Sequence, residues 1–171
     1  MTVRLRTMEA DYLNVASSSA SAKYAFMGVG FTKADESPSA KTTSKQYINQ
    51  KSAVQTITSY DWKMAVEADQ IKEEEAIQYI MNIGRNELVG SDAETDYIKV
   101  DLDSPVSNSA NTYEARKRKV AIQVSDFSSK DGEMGLKANF LAKSDIEIGT
   151  FNTSTRTFTP GPANTSVQAE S

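Results

Sequence analysis

The chain has 171 residues and a formal net charge of -4, with no cysteine and no histidine. These absences remove disulfides, thiolate nucleophiles, the commonest general base and the commonest metal ligand, so we expect neither an enzyme nor a cofactor. The length suits one domain, which we place at residues 1–159, and the acidic balance argues against tight, general binding of nucleic acid.

The first predicted elements are short. Ala16–Ala22 is a Ser/Ala stretch typical of a loop, and Lys23–Val29 is an apolar run of strand type that is closed by glycines. Residues 32–51 are polar almost throughout, and their early part contains Asp35, Glu36, Ser37 and Pro38. We therefore predict that residues 32–51 form a long excursion away from the core, and long excursions usually carry a function.

A sustained alternation follows from Ala53 to Val66. Its apolar and aromatic positions share one face, and polar residues occupy the other face. This pattern predicts one long, half-buried antiparallel strand, with Tyr60 and Trp62 in the core. The alternative for these two aromatic residues is a platform on which a carbohydrate stacks.

One helix is predicted at about residues 70–84. Asp69 is placed to cap it, the acidic run Glu73–Glu75 suits a helix N-terminus, and Gly84 marks its end. Ile77, Ile80 and Met81 lie on one face at helical spacing, so we expect this apolar stripe to pack on a sheet.

The remainder of the chain alternates as strands do. The apolar positions of the three predicted strands are Ile98, Val100 and Leu102, then Val120, Ile122 and Val124, then Met134, Leu136, Ala138 and Phe140. A last hairpin turns at Asn152–Ser154, and residues 160–171 are predicted to be a disordered tail. The expected fold is mainly β: a β-sandwich or open barrel of about seven or more antiparallel strands with one flanking α-helix.

Two charged motifs have competing interpretations. The run Arg116, Lys117, Arg118, Lys119 divides two and two between the faces of a strand beside Glu114, which favours salt bridges within or between subunits over a grip on DNA. The acidic segment from Asp92 to Asp96 lacks the glycine and the distal glutamate of an EF-hand. We interpret it as a solvated loop, with a weak calcium site as the alternative.

Several phrases in order along the chain resemble one family. They are FMGVGF at Phe26–Phe31, DESP at Asp35–Pro38, KQYIN at Lys45–Asn49, EADQIKEEEAI at Glu67–Ile77 and NTYEARKRKVAIQVSDF at Asn111–Phe127. Together they resemble the major tail tube proteins of tailed phages and prophages of Gram-positive bacteria, over about Met8 to Pro160. The resemblance implies a β-sandwich whose subunits form hexameric rings that stack into a tube for DNA.

The resemblance also supplies candidate roles for residues. An excursion that contacts the next ring makes Asp35, Glu36, Lys45 and Tyr47 ring-stacking candidates. An acidic lumen makes Asp61, Glu67, Asp101 and Asp103 candidates for the wall, which agrees with the acidic net charge. Candidates for the subunit interface are Glu114 and the basic run Arg116–Lys119.

The implied partners are other copies of the chain, the tape measure protein in the lumen, and the tail terminator and tail tip or baseplate proteins. DNA would pass without sequence-specific binding. The implied place is the virion tail, assembled in the host cytoplasm, and no run approaches the roughly 20 apolar residues of a membrane span. The alternative function, based on the aromatic residues of the long strand, is a lectin-like β-sandwich that binds carbohydrate.

Overall fold

The computed structural model describes residues 1–17 and 19–161, and its fold is mainly β, as predicted. Over these residues the chain forms eleven strands, one α-helix and two short 3-10 turns. The strands are β1 Glu9–Asn14, β2 Tyr24–Phe26, β3 Phe31–Ser37, β4 Ala40–Lys45, β5 Val54–Tyr60, β6 Lys63–Asp69, β7 Glu94–Pro105, β8 Thr112–Lys130, β9 Glu133–Ala142, β10 Glu147–Asn152 and β11 Thr157–Pro160; the helix is α1 Glu75–Arg85, and the 3-10 turns are Arg6–Met8 and Gly90–Ala93. The predicted tail begins at the end of β11, and its residues 162–171 lie outside the described residues.

Nine of the strands in the described ranges form one open antiparallel sheet, and β4 and β5 form a separate two-stranded sheet. The order of the large sheet is β2-β1-β7-β8-β9-β6-β3, with the β10–β11 hairpin also paired to β8. The long strand β8 has two partners along one edge, because its first part pairs with β10 and its second part pairs with β9. The sheet therefore divides into two branches at β8.

Each branch encloses its own apolar cluster. The larger cluster lies between α1 and the β8-β9-β6-β3 branch, and includes Met64, Val66, Ile122 and Phe140. The smaller cluster lies under the β10–β11 hairpin and is centred on Phe151. Successive residues of β7 face opposite sides of the sheet, so Tyr97 enters the first cluster while Ile98 enters the second. The central strands are thus covered on both faces.

The helix packs as predicted but begins later. Ile77, Ile80 and Met81 are buried in the larger cluster. The predicted cap, Asp69, is instead the last residue of β6, and α1 starts after Glu74. Backbone hydrogen bonds from Asp69 to Gly30 and from Gln70 to Met134, each 2.8 Å, keep this segment extended beside the sheet. These tertiary hydrogen bonds override the local capping signal.

The prediction of one long strand from Ala53 to Val66 was wrong. The segment forms two strands in different sheets, β5 and β6, with a break at Asp61 and Trp62. At the break, Asp61 N donates to Ser39 O at 3.0 Å, whereas Trp62 O accepts from Ala142 N at 3.2 Å, so the chain changes partner strand. Trp62 is buried as predicted, but Tyr60 is exposed.

The predicted excursion is also displaced along the chain. Its first residues form β3, which pairs with β6 at the edge of the large sheet. The part that leaves the sheet is the β4–β5 pair with its tip, which we call the exposed hairpin and define as residues 38–60. All of its residues are exposed to solvent.

Candidate assembly surfaces

The exposed hairpin combines apolar and basic side chains. Its tip carries Tyr47 and Ile48, which are 50% and 109% exposed, and β5 adds the exposed Ile57 and Tyr60. The segment also contains three lysines and no carboxylate residue. Exposed apolar groups on a two-stranded sheet without a core are typical of a contact surface.

A hydrogen-bonded clamp closes the root of this hairpin. Glu36 lies just before the hairpin and Trp62 lies just after it, and Trp62 Nε1 donates to Glu36 Oε1 at 3.0 Å. The second carboxylate oxygen of Glu36 lies 3.0 Å from the ammonium group of Lys99 on β7. Both ends of the hairpin are therefore joined to each other and to a central strand.

Lys99 belongs to a buried polar network between β1 and β7. Its ammonium nitrogen is 3.3 Å from Glu9 and 3.8 Å from Asp11. Asp11 has a fully buried side chain, pairs with the guanidinium group of Arg6 and accepts a hydrogen bond from the Tyr97 hydroxyl. Each charge in this network has a partner, which is the condition for burying it.

The network shifts two pKa values in the same direction. Burial and the nearby Asp11 charge raise the pKa of Tyr97 well above its ordinary value. Burial alone lowers the pKa of Lys99, but the charges of Asp11, Glu36 and Glu9 outweigh it and raise that pKa. Lys99 therefore stays charged and Tyr97 stays protonated at neutral pH.

A cleft of about 680 Å³ separates the hairpin root from the start of β10. The guanidinium carbon of Arg118 lies 4.1 Å from the ring centroid of Trp62 on its floor, and Tyr60 and Ile146 line its walls. Burial lowers the pKa of Arg118. Trp62 is only 5% exposed, so its ring offers no open face on which a sugar could stack.

The four ring-stacking candidates separate into two places. Lys45 and Tyr47 lie together at the hairpin tip, where the lysine nitrogen is 5.1 Å from the tyrosine ring centroid. Asp35 and Glu36 are on β3, at the edge of the large sheet. Both residues are exposed, but the Glu36 carboxylate is held in its clamp, whereas that of Asp35 lies 3.8 Å from Lys33.

The structure does not bring the four lumen candidates together. Glu67 is on β6, on the face opposite the buried Val66, and lies 3.9 Å from Lys137. Asp61 lies at the hairpin root, 3.6 Å from Lys41. Asp101 and Asp103 both pair with Arg4. Asp101 lies opposite Glu114 of β8, whereas Lys137, the cross-strand neighbour of Glu67, lies opposite Asp126 of β8. That offset in register corresponds to about 40 Å along the strand.

The basic run on β8 divides between two faces, as predicted. Arg116 and Arg118 line the cleft at the hairpin root. On the other face, Lys117 lies 3.3 Å from Glu147 and Lys119 lies 3.5 Å from Glu94. The pKa of Glu94 is lowered, mainly by the hydrogen bond from Lys143. Burial acts in the opposite direction but does not outweigh the two lysines. Glu114 lies opposite Asp101 in the sheet, so two carboxylates are neighbours there.

Within the part of the chain that the structure describes, the large sheet has edge strands that lack a second partner strand. Its terminal strands are β2 and β3, and β11 ends the side branch. Each of these strands has one partner strand within the described residues, so one side of its backbone is unpaired in the single chain. Such edges invite pairing with another chain unless they are protected.

Sequence reasoning missed the buried polar network. Its signal was present, since Asp11 and Lys99 each stand among apolar neighbours in a strand pattern, where a charge is unusual. In the part of the chain that the structure describes, no group of three or more acidic residues is arranged to hold a metal ion. Nor is any helix there long and apolar enough to cross a membrane.

The comparisons with known proteins bear on the fold. No protein-family model matches the chain, and no curated protein matches it. Among solved structures, the chain is similar to one from the anti-feeding prophage (AFP) baseplate, determined by cryo-EM with 6-fold symmetrisation. The TM-score is 0.50 at 8% sequence identity, and the similarity covers 86% of this chain and 96% of that chain. At this level of identity, the likeness is one of fold.

Proposed function

We propose that the protein is a structural, non-enzymatic subunit of a phage-tail-like particle, and that copies of it form stacked rings around a channel. The observation that supports this most is the fold, which matches a chain of a prophage baseplate over nearly the whole of that chain. The order of the phrases that resemble tail tube proteins supports it independently. That baseplate was symmetrised six-fold, which favours a hexameric ring.

The sheet edges suit such a ring. Closing a ring places an edge of one copy against an edge of the next, so the two edges that join gain partners and are no longer open to uncontrolled aggregation. In this proposal β3 is one of the joining edges, because it ends the branch on which α1 packs. Other tail proteins, such as a tape measure protein, a terminator and tip or baseplate proteins, would be the further partners.

We place the channel wall on the face of β3, β6 and β9 that is opposite α1. The helix covers the inner side of this branch with its apolar stripe, so the other side is available to water. Glu67 lies on that face with Lys33 and Lys137 on the neighbouring strands. The face is mixed in charge, and six copies at -4 each would give a ring a net charge of about -24.

Electron microscopy of negatively stained protein, with analytical ultracentrifugation across concentration and salt, tests this proposal. We expect rings or tubes, with DNA passing through without stable binding. A protein that stays monomeric under every condition would contradict it. If a glycan array instead shows binding by such a monomer, the carbohydrate-binding alternative takes its place.

A hairpin-deletion variant separates assembly from folding. The β4–β5 pair forms its own sheet, so replacing residues 40–60 with a short glycine-containing turn leaves every strand pairing of the large sheet in place. We expect a folded subunit that forms no tubes. Normal tubes from this variant would show that the hairpin is not an assembly element.

A further inference from the structure

The charge of the exposed hairpin opposes that of the whole chain. Residues 38–60 carry Lys41, Lys45 and Lys51 and no carboxylate residue, which is a net charge of +3 in a chain of -4. Lys41 has a partner in Asp61 at 3.6 Å. Across residues 1–17 and 19–161, no carboxylate lies within 4.0 Å of the ammonium groups of Lys45 and Lys51 at the tip.

A surface of opposite charge lies at the other end of β6. We call it the acidic end and define it as residues 69–75 together with the β8–β9 turn at residues 130–133. It contains six carboxylates and two lysines, a net charge of -4, and of these Glu75 pairs with Lys23 outside the surface at 2.6 Å. Val29 and Met134 are beside it and are 60% and 53% exposed.

The strand directions place the two surfaces at opposite ends of the molecule. The hairpin leaves the sheet where Ser37 pairs with Lys63, at one end of β6, whereas Asp69 and Gly135 form the last pair at the other end. Residues 58–60 at the hairpin root share a cleft with Arg116 and Arg118, which lie on the part of β8 farther from the acidic end. β6 alone separates the two surfaces by about 20 Å, which exceeds the screening length of about 8 Å at physiological salt. The charges therefore do not neutralise each other within one subunit.

We propose that the hairpin tip docks on the acidic end of a second copy, so that subunits stack head to tail. Lys45 and Lys51 meet carboxylates of the acidic end, and Tyr47 and Ile48 cover the exposed apolar groups beside it. Because the two surfaces differ, the contact is heterologous and propagates without closing, which gives a tube with one polarity. This inference rests on the proposed function and adds the surface that receives the hairpin.

Charge reversal tests the docking. In purified wild-type protein, tube elongation should slow as salt rises, because screening weakens the attraction between the two surfaces. The variant Lys45→Glu/Lys51→Glu and the variant Glu73→Lys/Glu133→Lys should each elongate at least about tenfold more slowly than wild type. In a chain that carries all four substitutions, two glutamates on the hairpin again face two lysines on the receiving surface, but the net charges are -1 and 0 instead of +3 and -4. This chain should therefore recover part of the wild-type elongation rate.

A matched control is Lys63→Glu compared with Lys45→Glu, since both lysines are exposed, neither has a carboxylate within 4.0 Å among the described residues, and Lys63 is outside both surfaces. Thermal melts establish that each variant folds. Wild-type tubes with normal elongation in both reversal variants, or no recovery in the folded four-substitution chain, would overturn the docking and leave the tube function standing. A wild-type protein that forms neither rings nor tubes would instead overturn the proposed function.

Discussion

Replacing Lys99 with methionine should strongly destabilise the subunit. The lysine side chain is only 10% exposed, and its ammonium group is 3.0 Å from Glu36, 3.3 Å from Glu9 and 3.8 Å from Asp11. Methionine keeps most of the length and apolar contact of the lysine stem but removes the charge. The substitution leaves Asp11 with Arg6 as its cation and leaves Glu36 with Trp62 alone.

The size of the stability loss follows from the burial of Lys99 and its carboxylate partners. Removing one partner of a buried ion pair costs about 3–5 kcal/mol. The remaining Arg6 contact, and the partial exposure of Glu9 (25%) and Glu36 (33%), favour the lower part of that range. For a domain of this size each kcal/mol lowers the melting temperature by about 2–4 °C, so we expect a decrease of about 10 °C. The exposed Lys143, whose side chain is 48% exposed and pairs with Glu94, provides the control, and Lys143→Met should cost at most about 1 kcal/mol.

Urea unfolding followed by circular dichroism measures both variants. A second change, Glu36→Gln, removes one carboxylate that has lost its cation, so the double variant should recover part of the stability of Lys99→Met. Equal midpoints for Lys99→Met and Lys143→Met would refute the reasoning, because the network would then contribute no more than a surface pair. A loss without recovery in the double variant would assign the cost to packing.

Two further predictions concern alkaline stability and helix packing. Burial, with the charges of Asp96 and Glu147, raises the pKa of Tyr24 to about 12, so between pH 10 and 12 the unfolded chain loses a proton that the folded chain keeps. The contribution of Tyr24 to the free energy of unfolding is complete below about pH 10 and falls by up to about 3 kcal/mol as pH rises through that window. The Tyr24→Phe variant should therefore show a smaller decrease in urea midpoint with pH than the wild type. An equal decrease in both proteins would contradict the assignment. A Cβ atom on Gly84 would lie 2.7 Å from Val124 Cγ1, so Gly84→Ala should lower the free energy of unfolding by about 1–2 kcal/mol despite the better helix propensity of alanine. A more stable Gly84→Ala protein in the same urea assay would show that the sheet adjusts without cost.

The sequence by itself determined the features that depend on local periodicity. The alternation of β7 and β9, the apolar stripe of α1 and the turn between β10 and β11 are all present where the pattern predicted them. These elements could be predicted because a side-chain period of two or of 3.6 already specifies which residues share a face. The period did not specify burial in β7, where Tyr97 and Lys99 are buried as well as Ile98 and Val100.

Tertiary structure alone decided which alternating residues are buried. The pattern from Val54 to Val66 is continuous in sequence, yet β5 is entirely exposed and β6 contributes to the core. Periodicity cannot distinguish these outcomes, because alternation describes two faces of a strand and not what covers them. The strand with which a segment pairs determines whether that segment is buried, and the partner strand changes at Trp62.

The candidate surfaces also depend partly on local sequence and partly on tertiary structure. The polar segment with Lys45 and Tyr47 was recognisable from composition, and the structure places both residues at the tip of the hairpin. The clamp of Glu36 with Trp62 and Lys99, and the opposition of a basic hairpin to an acidic end, depend on residues far apart in the chain. Only the pairing of β3 with β6, and of β6 with β9, sets those distances, because long-range strand register is a property of the folded sheet and not of any local segment.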